Sequence, residues 1–136
     1  MSKLIKFWLP PALWALAIFS FSSFSTPKTS VIYWQDFLVK KTAHVIEYGI
    51  LAVLLYRALK ATGAGERKAG LLAIVIVFFY GITDEFHQSF TPGREPRIRD
   101  VLIDTAGAGL FIYAVWNWLP KAPEKIKIWA RNLEVI

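Results

Sequence analysis

The run Phe79-Tyr80-Gly81-Ile82-Thr83-Asp84-Glu85-Phe86-His87-Gln88-Ser89-Phe90-Thr91-Pro92-Gly93-Arg94 decides how the rest of the chain is read. It begins inside an apolar block and then sets Asp84, Glu85, His87 and Gln88 in close succession before Pro92-Gly93 stops a helix. Ionisable groups at the end of a lipid-embedded helix are costly, and they mark a functional site by default. Asp100 and Asp104 follow shortly after.

Outward from this run, composition favours a membrane. The chain has 136 residues, of which 55% are hydrophobic and 15% aromatic. A single domain of that length lacks the interior to bury so much apolar surface. The apolar residues also fall in blocks of spanning length, so the expected fold is all-α, a four-transmembrane-helix bundle with a short amphipathic C-terminal segment. The spans are expected at about residues 4–24, 36–60, 69–90 and 100–119, with an amphipathic tail over 121–136. Twenty or so residues suffice to cross a hydrocarbon core of ~30 Å.

The first block is longer than the apolar region of a signal peptide, and Ser20–Ser25, which would be the region to cleave, holds no clean Ala-x-Ala. Pro10-Pro11 predict a kink or a late helix start there. Ser25–Gln35 reads as a turn-rich connector with Pro27, ending in the interfacial pair Tyr33-Trp34. The small residues Thr105-Ala106-Gly107-Ala108-Gly109 would admit a close helix neighbour, and a homodimer through Thr105–Gly109 is one expectation. In the tail, Ile126, Trp129 and Leu133 share one side at helical spacing, with Lys125, Lys127 and Arg131 between them.

A net charge of +6 would suggest nucleic acid in a soluble chain. Here the basic residues sit between and after apolar blocks, as topology signals do, and no groove-reading motif accompanies them. The amino end, the second loop and the tail hold ten (Lys3, Lys6, Arg57, Lys60, Arg67, Lys68, Lys121, Lys125, Lys127, Arg131). The opposite side holds six (Lys28, Lys40, Lys41, Arg94, Arg97, Arg99). This bias predicts both termini in the cytoplasm. With no cysteine, disulfides, thiolate metal sites and cysteine nucleophiles are excluded.

That topology brings three polar stripes to the outer face. At about 100° per residue, Lys41, His44 and Tyr48 fall together on the second helix. Asp84, Glu85 and Gln88 do so on the third, with Gly81, and Asp100, Asp104 and Gly107 on the fourth. Singly, Lys41 and Arg99 read as snorkelling anchors, Asp100 as an N-cap, and the arginines as lipid-phosphate contacts. Their coincidence at one depth predicts a site. His44, Asp84 and Glu85 are its candidate catalytic residues. Lys41, Tyr48, Gln88, Arg94, Asp100 and Asp104 are its candidate binding residues. His87 points away from the Asp84/Gln88 face, so no metal or other cofactor is expected.

The constellation Lys41-Thr42-Ala43-His44-Val45-Ile46-Glu47-Tyr48-Gly49-Ile50-Leu51, Gly81 to Arg94, then Asp100 and Gly107, resembles the VanZ-like family of small bacterial membrane proteins. Lys40 stands where that family often has Asp, and Asp104 where it often has Asn. The resemblance implies a bacterial plasma membrane location and a cell-envelope role at the outer face, and it links the chain to resistance to the glycopeptide teicoplanin. Three readings follow: a protein that binds or modifies an envelope lipid, lipid-linked precursor or lipoglycopeptide; an intramembrane acid/base hydrolase or transferase; or a proton-coupled transporter acting as an oligomer.

Overall fold

A computed structural model describes residues 2–24 and 31–136. Every regular element among them is helical: α1 Lys3–Ser22, α2 Tyr33–Ala61, α3 Glu66–Gln88, α4 Ile98–Tyr113 and α5 Glu124–Asn132. The fold is all-α. Two helices, Lys3–Ser22 and Glu66–Gln88, are long and apolar enough to cross a membrane. α2 is 29 residues long and carries Asp36, Lys40, Lys41, His44 and Glu47 in its first half. α4 has 16 residues before the backbone widens into a π-helical turn, Ala114–Trp118. A 3₁₀ turn, Leu119–Lys121, follows, where Pro120 ends the regular hydrogen bonding.

The helix ends differ from expectation in physically readable ways. α1 does not start late: Ser2 caps it, its hydroxyl accepting from the Ile5 N–H at 3.4 Å, and the helix runs on through Pro10 and Pro11. The two prolines cost that helix the hydrogen bonds their nitrogens would donate one turn back. Tyr33 and Trp34 belong to the first turn of α2 rather than to a connector, with Asp36 in that turn favoured by the helix dipole. Residues 25–30, with Pro27, Lys28 and the end of the proposed cleavage region, lie outside the described residues.

α4 packs between α2 and α3, and those two also pack on each other, while α1 lies outside, mainly against α2. The shared core holds Tyr48, Leu51 and Tyr56 of α2, Ala73 and Val77 of α3, and Ala108 and Ile112 of α4. Small residues set the spacing. A Cβ on Gly107 would sit 2.7 Å from the Val45 carbonyl oxygen and 2.9 Å from its Cα, so α4 touches the α2 backbone there. Gly107 and Ala108 are buried by this contact, whereas Ala106 is exposed. The small-residue stretch is thus partly used within the chain.

The molecule is apolar outside and polar inside at one end. Leu13, Leu16, Phe79, Phe86, Leu102 and Leu110 are exposed, while Asp84, Glu85, Gln88 and Asp104 are buried. A large exposed apolar surface needs a partner other than water.

Candidate functional site

The start of α2, the end of α3 and the start of α4 meet at one end of the bundle, and their polar residues pair in layers. One layer centres on Asp84, 2% exposed. Its Oδ2 accepts from the Tyr48 hydroxyl at 2.8 Å, the Gln88 Nε2 at 2.8 Å and the Ser22 hydroxyl at 2.9 Å. Three neutral donors from three helices therefore hold one carboxylate oxygen. The other oxygen, Oδ1, is buried with no hydrogen-bond partner among the described residues.

The next layer joins His44 Nδ1 to Asp104 Oδ1 at 3.1 Å. Asp104 is 1% exposed, and its Oδ2 is buried and unpartnered among the described residues. The Tyr48 ring lies parallel to that of His44 at 6.1 Å, so one helix face presents both to the same interior. Above this, Lys41 Nζ lies 2.6 Å from Asp100 Oδ2. Asp100 is not the N-cap of α4. Arg97 occupies that position, and Asp100 sits in the first turn with its N–H donating to the Arg97 carbonyl at 2.8 Å. Its carboxylate is thereby left for Lys41, in a place the helix dipole favours.

The loop is fixed by two devices. Thr91-Pro92-Gly93-Arg94 closes a turn, the Arg94 N–H donating to the Thr91 carbonyl at 3.2 Å, with Gly93 at φ 81°. Proline second and a left-handed glycine third are what a type II turn needs. Glu85 Oε2 then accepts the Arg97 N–H at 3.0 Å, tying the loop to α3. The turn delivers Arg94, which donates to Gln88 Oε1 at 2.7 Å and to the Phe24 carbonyl at 3.1 Å.

Over these layers opens a cavity of about 720 Å³. Lys41, His44, Gln88, Arg94 and Asp100 line it, whereas Tyr48, Asp84, Glu85 and Asp104 lie behind its wall and support it. Phe21, Tyr33, Phe37 and Ala43 give the same cavity an apolar side. The charges around it are mostly matched. Lys40 pairs with Asp36 at 2.8 Å, Arg97 with Glu95 at 2.7 Å, and Arg99 lies 3.7 Å from Asp100. The Glu95 hydrogen bond also holds the Arg97 guanidinium above its ordinary pKa. Among the described residues Arg94 alone of the lining cations has only neutral acceptors, and its Nε is buried without a partner.

The helical period points to Lys41, His44, Tyr48, Asp84, Gln88, Asp100 and Asp104, but not to Ser22 or to Glu47. Ser22 comes from α1, and a lone serine closing an apolar span gives no local hint of a contact 62 positions away. Glu47 lines the cavity one turn beyond His44, a spacing that could have flagged it. His87 lies off the cluster, its ring stacked on Phe19 at 3.9 Å. Among the described residues no group of three or more His, Asp or Glu side chains could hold a metal ion.

Fold and site together define a small all-α protein whose buried carboxylates underlie an open, partly apolar cavity. The chain belongs to the VanZ/LLP1 family, whose family model matches residues 3–119. Family and apolar helices together point to a membrane protein. No curated protein and no solved structure matches the chain.

Proposed function

We propose that this protein is a four-span bundle of the bacterial plasma membrane, with both termini cytoplasmic, that binds the anionic head of an amphiphilic envelope molecule in its outward-facing cavity. A lipid, a lipid-linked precursor or an acylated glycopeptide such as teicoplanin has the required chemistry. Arg94 carries the reading. It is a guanidinium in a cavity wall, held in place by neutral acceptors, with no carboxylate within ion-pair distance among the described residues. Such a group gives strong charge-assisted hydrogen bonds to phosphate or carboxylate. The apolar side of the cavity suits the first part of a hydrocarbon tail, and its volume lies within the usual range for ligand sites. The exposed apolar residues of α1, α3 and α4 would face lipid.

The test is thermal unfolding of purified protein titrated with polyprenyl phosphate, phosphatidylglycerol or phosphatidylcholine. A ligand of the folded state raises Tm with concentration. The anionic lipids should stabilise the wild type and lose most of that effect on Arg94→Ala. A charge-assisted hydrogen bond is worth about 1.5–3 kcal/mol, so affinity should fall on the order of tenfold to a hundredfold. Equal stabilisation by phosphatidylcholine, or an unchanged response in Arg94→Ala, would contradict the reading.

A second reading, an intramembrane hydrolase or transferase, is favoured by the His44–Asp104 pair. Asp104 engages Nδ1, leaving Nε2 as the nitrogen available to a substrate. His44 would then take a proton from water or a substrate hydroxyl, with Asp104 orienting the ring and stabilising the imidazolium. In that case His44→Ala binds the amphiphile as before and leaves it chemically unaltered, whereas the wild type releases product.

A further inference from the structure

The opposite end of the bundle carries a feature that the cavity does not use. α5 ends in a reversal: Glu134 has φ 56°, and the Val135 N–H donates to the Ala130 carbonyl at 3.0 Å. Beyond the reversal the chain is fastened to the helices. Lys6 of α1 donates to Glu134 at 2.9 Å and Arg57 of α2 at 3.2 Å. Lys60 donates to the Val135 carbonyl at 3.3 Å, and the Val135 side chain is buried in the core.

This fastening fixes how α5 is rotated. Ala130, 1% exposed, faces the bundle, so Ile128, Trp129 and Leu133 turn outward, 51%, 65% and 40% exposed. Three large apolar side chains thus face away from the protein surface against which they could have packed. Cations surround them. Lys127 and Arg131 lie beside Glu124, but Lys121 and Lys125 are exposed and have no carboxylate partner among the described residues. Lys3 and Lys68 at the same end are likewise exposed without a carboxylate partner among the described residues. Trp129 and Leu133, one turn apart and both exposed, with the unpaired Lys125 one turn before Trp129, complement one chemistry in particular, the surface of an anionic bilayer leaflet. α5 also lies beyond residues 3–119, so the family match does not cover it.

We infer that α5 is a membrane-surface helix, clamped to the bundle by Glu134 and Val135, that buries Trp129 and Leu133 among anionic phospholipids at the end of the molecule opposite the cavity. The observations behind it are independent of the cavity and of what the cavity binds.

The chain has no cysteine, so single cysteines can be introduced without removing any. Trp129→Cys and Leu133→Cys, with Glu124→Cys and Arg131→Cys on the opposite face of the helix, are spin-labelled in the full chain. Each is reconstituted in vesicles of phosphatidylcholine alone or mixed with phosphatidylglycerol. The ratio of oxygen to nickel-chelate accessibility should be several-fold higher at 129 and 133 than at 124 and 131, and the contrast should grow with phosphatidylglycerol. Lys121→Gln combined with Lys125→Gln should return the Leu133→Cys ratio to its value in phosphatidylcholine. Equal ratios at all four positions, or positions 129 and 133 shielded from both reagents as in a protein contact, would overturn the inference. So would a contrast indifferent to phosphatidylglycerol.

Discussion

Oδ2 of Asp84 accepts from Ser22, Tyr48 and Gln88, so a single oxygen joins α1, α2 and α3. Removing an acceptor strands its donors in a buried place, at about 1–3 kcal/mol for each polar group left unsatisfied. Asp84→Ala should therefore destabilise by roughly 2–5 kcal/mol, and Ser22→Ala, which removes one donor, by about 1 kcal/mol, read from chemical or thermal unfolding in detergent. Asp84→Asn keeps an acceptor oxygen and should fall between them. At this scale the sequence was informative where a helix repeat sufficed: Tyr48 with His44, and Gln88 with Asp84, lie one turn apart. It did not reveal which carboxylate would meet which cation. That depends on helix rotation and depth, so Lys41 with Asp100 and His44 with Asp104 emerge only in three dimensions. Glu85, a candidate catalytic residue by its neighbourhood, lies behind the cavity wall and holds the loop backbone at Arg97.

Among the elements, the Thr91–Arg94 turn and the α2–α4 contact matter most to the cavity. Gly93 has a φ of 81°, where a Cβ is strained by about 1–2 kcal/mol. Gly93→Ala should thus misplace Arg94 and reproduce the lipid-response loss of Arg94→Ala in the same Tm titration, with only a modest fall in basal stability. Gly107→Val places a branched side chain against the Val45 backbone and should cost about 1–3 kcal/mol, with His44 and Asp104 drawn apart. The α5 clamp gives a pH prediction. Hydrogen bonds from Lys6 and then Arg57 lower the Glu134 pKa below its ordinary value. A lowered pKa means that the clamp's contribution is present above the unfolded glutamate pKa and lost as pH falls through the folded one. A spin label at Leu133→Cys should stay restrained at neutral pH and gain mobility only in acid, whereas Glu134→Gln should be mobile at both. Apolar block length anticipated these helices. Their ends depended on local backbone chemistry, as where Ser2 starts α1 ahead of its prolines.

For the whole molecule, the governing fact is the distribution of polarity. Asp84, Glu85 and Asp104 are interior while many leucines and phenylalanines are exterior, as expected where the surroundings are lipid. Composition and block length already carried this message, since a chain of 136 residues cannot hide a 55% hydrophobic content. Orientation rests on the basic-residue bias and gives a separate prediction. In intact cells an impermeant maleimide should label Glu95→Cys in the cavity loop, and should label Lys125→Cys only after the membrane is opened.

The most direct measurement is native mass spectrometry of the protein extracted gently from bacterial membrane, with wild type beside Arg94→Ala and His44→Ala. A specific anionic amphiphile retained by wild type and His44→Ala, and missing from Arg94→Ala, is the predicted result. Its identity would name the ligand class, and an altered form on wild type with the intact form on His44→Ala would add the enzymatic step. Wild type that carries no specific amphiphile, or an Arg94→Ala variant that carries the same one in equal amount, would contradict the cavity as its binding site.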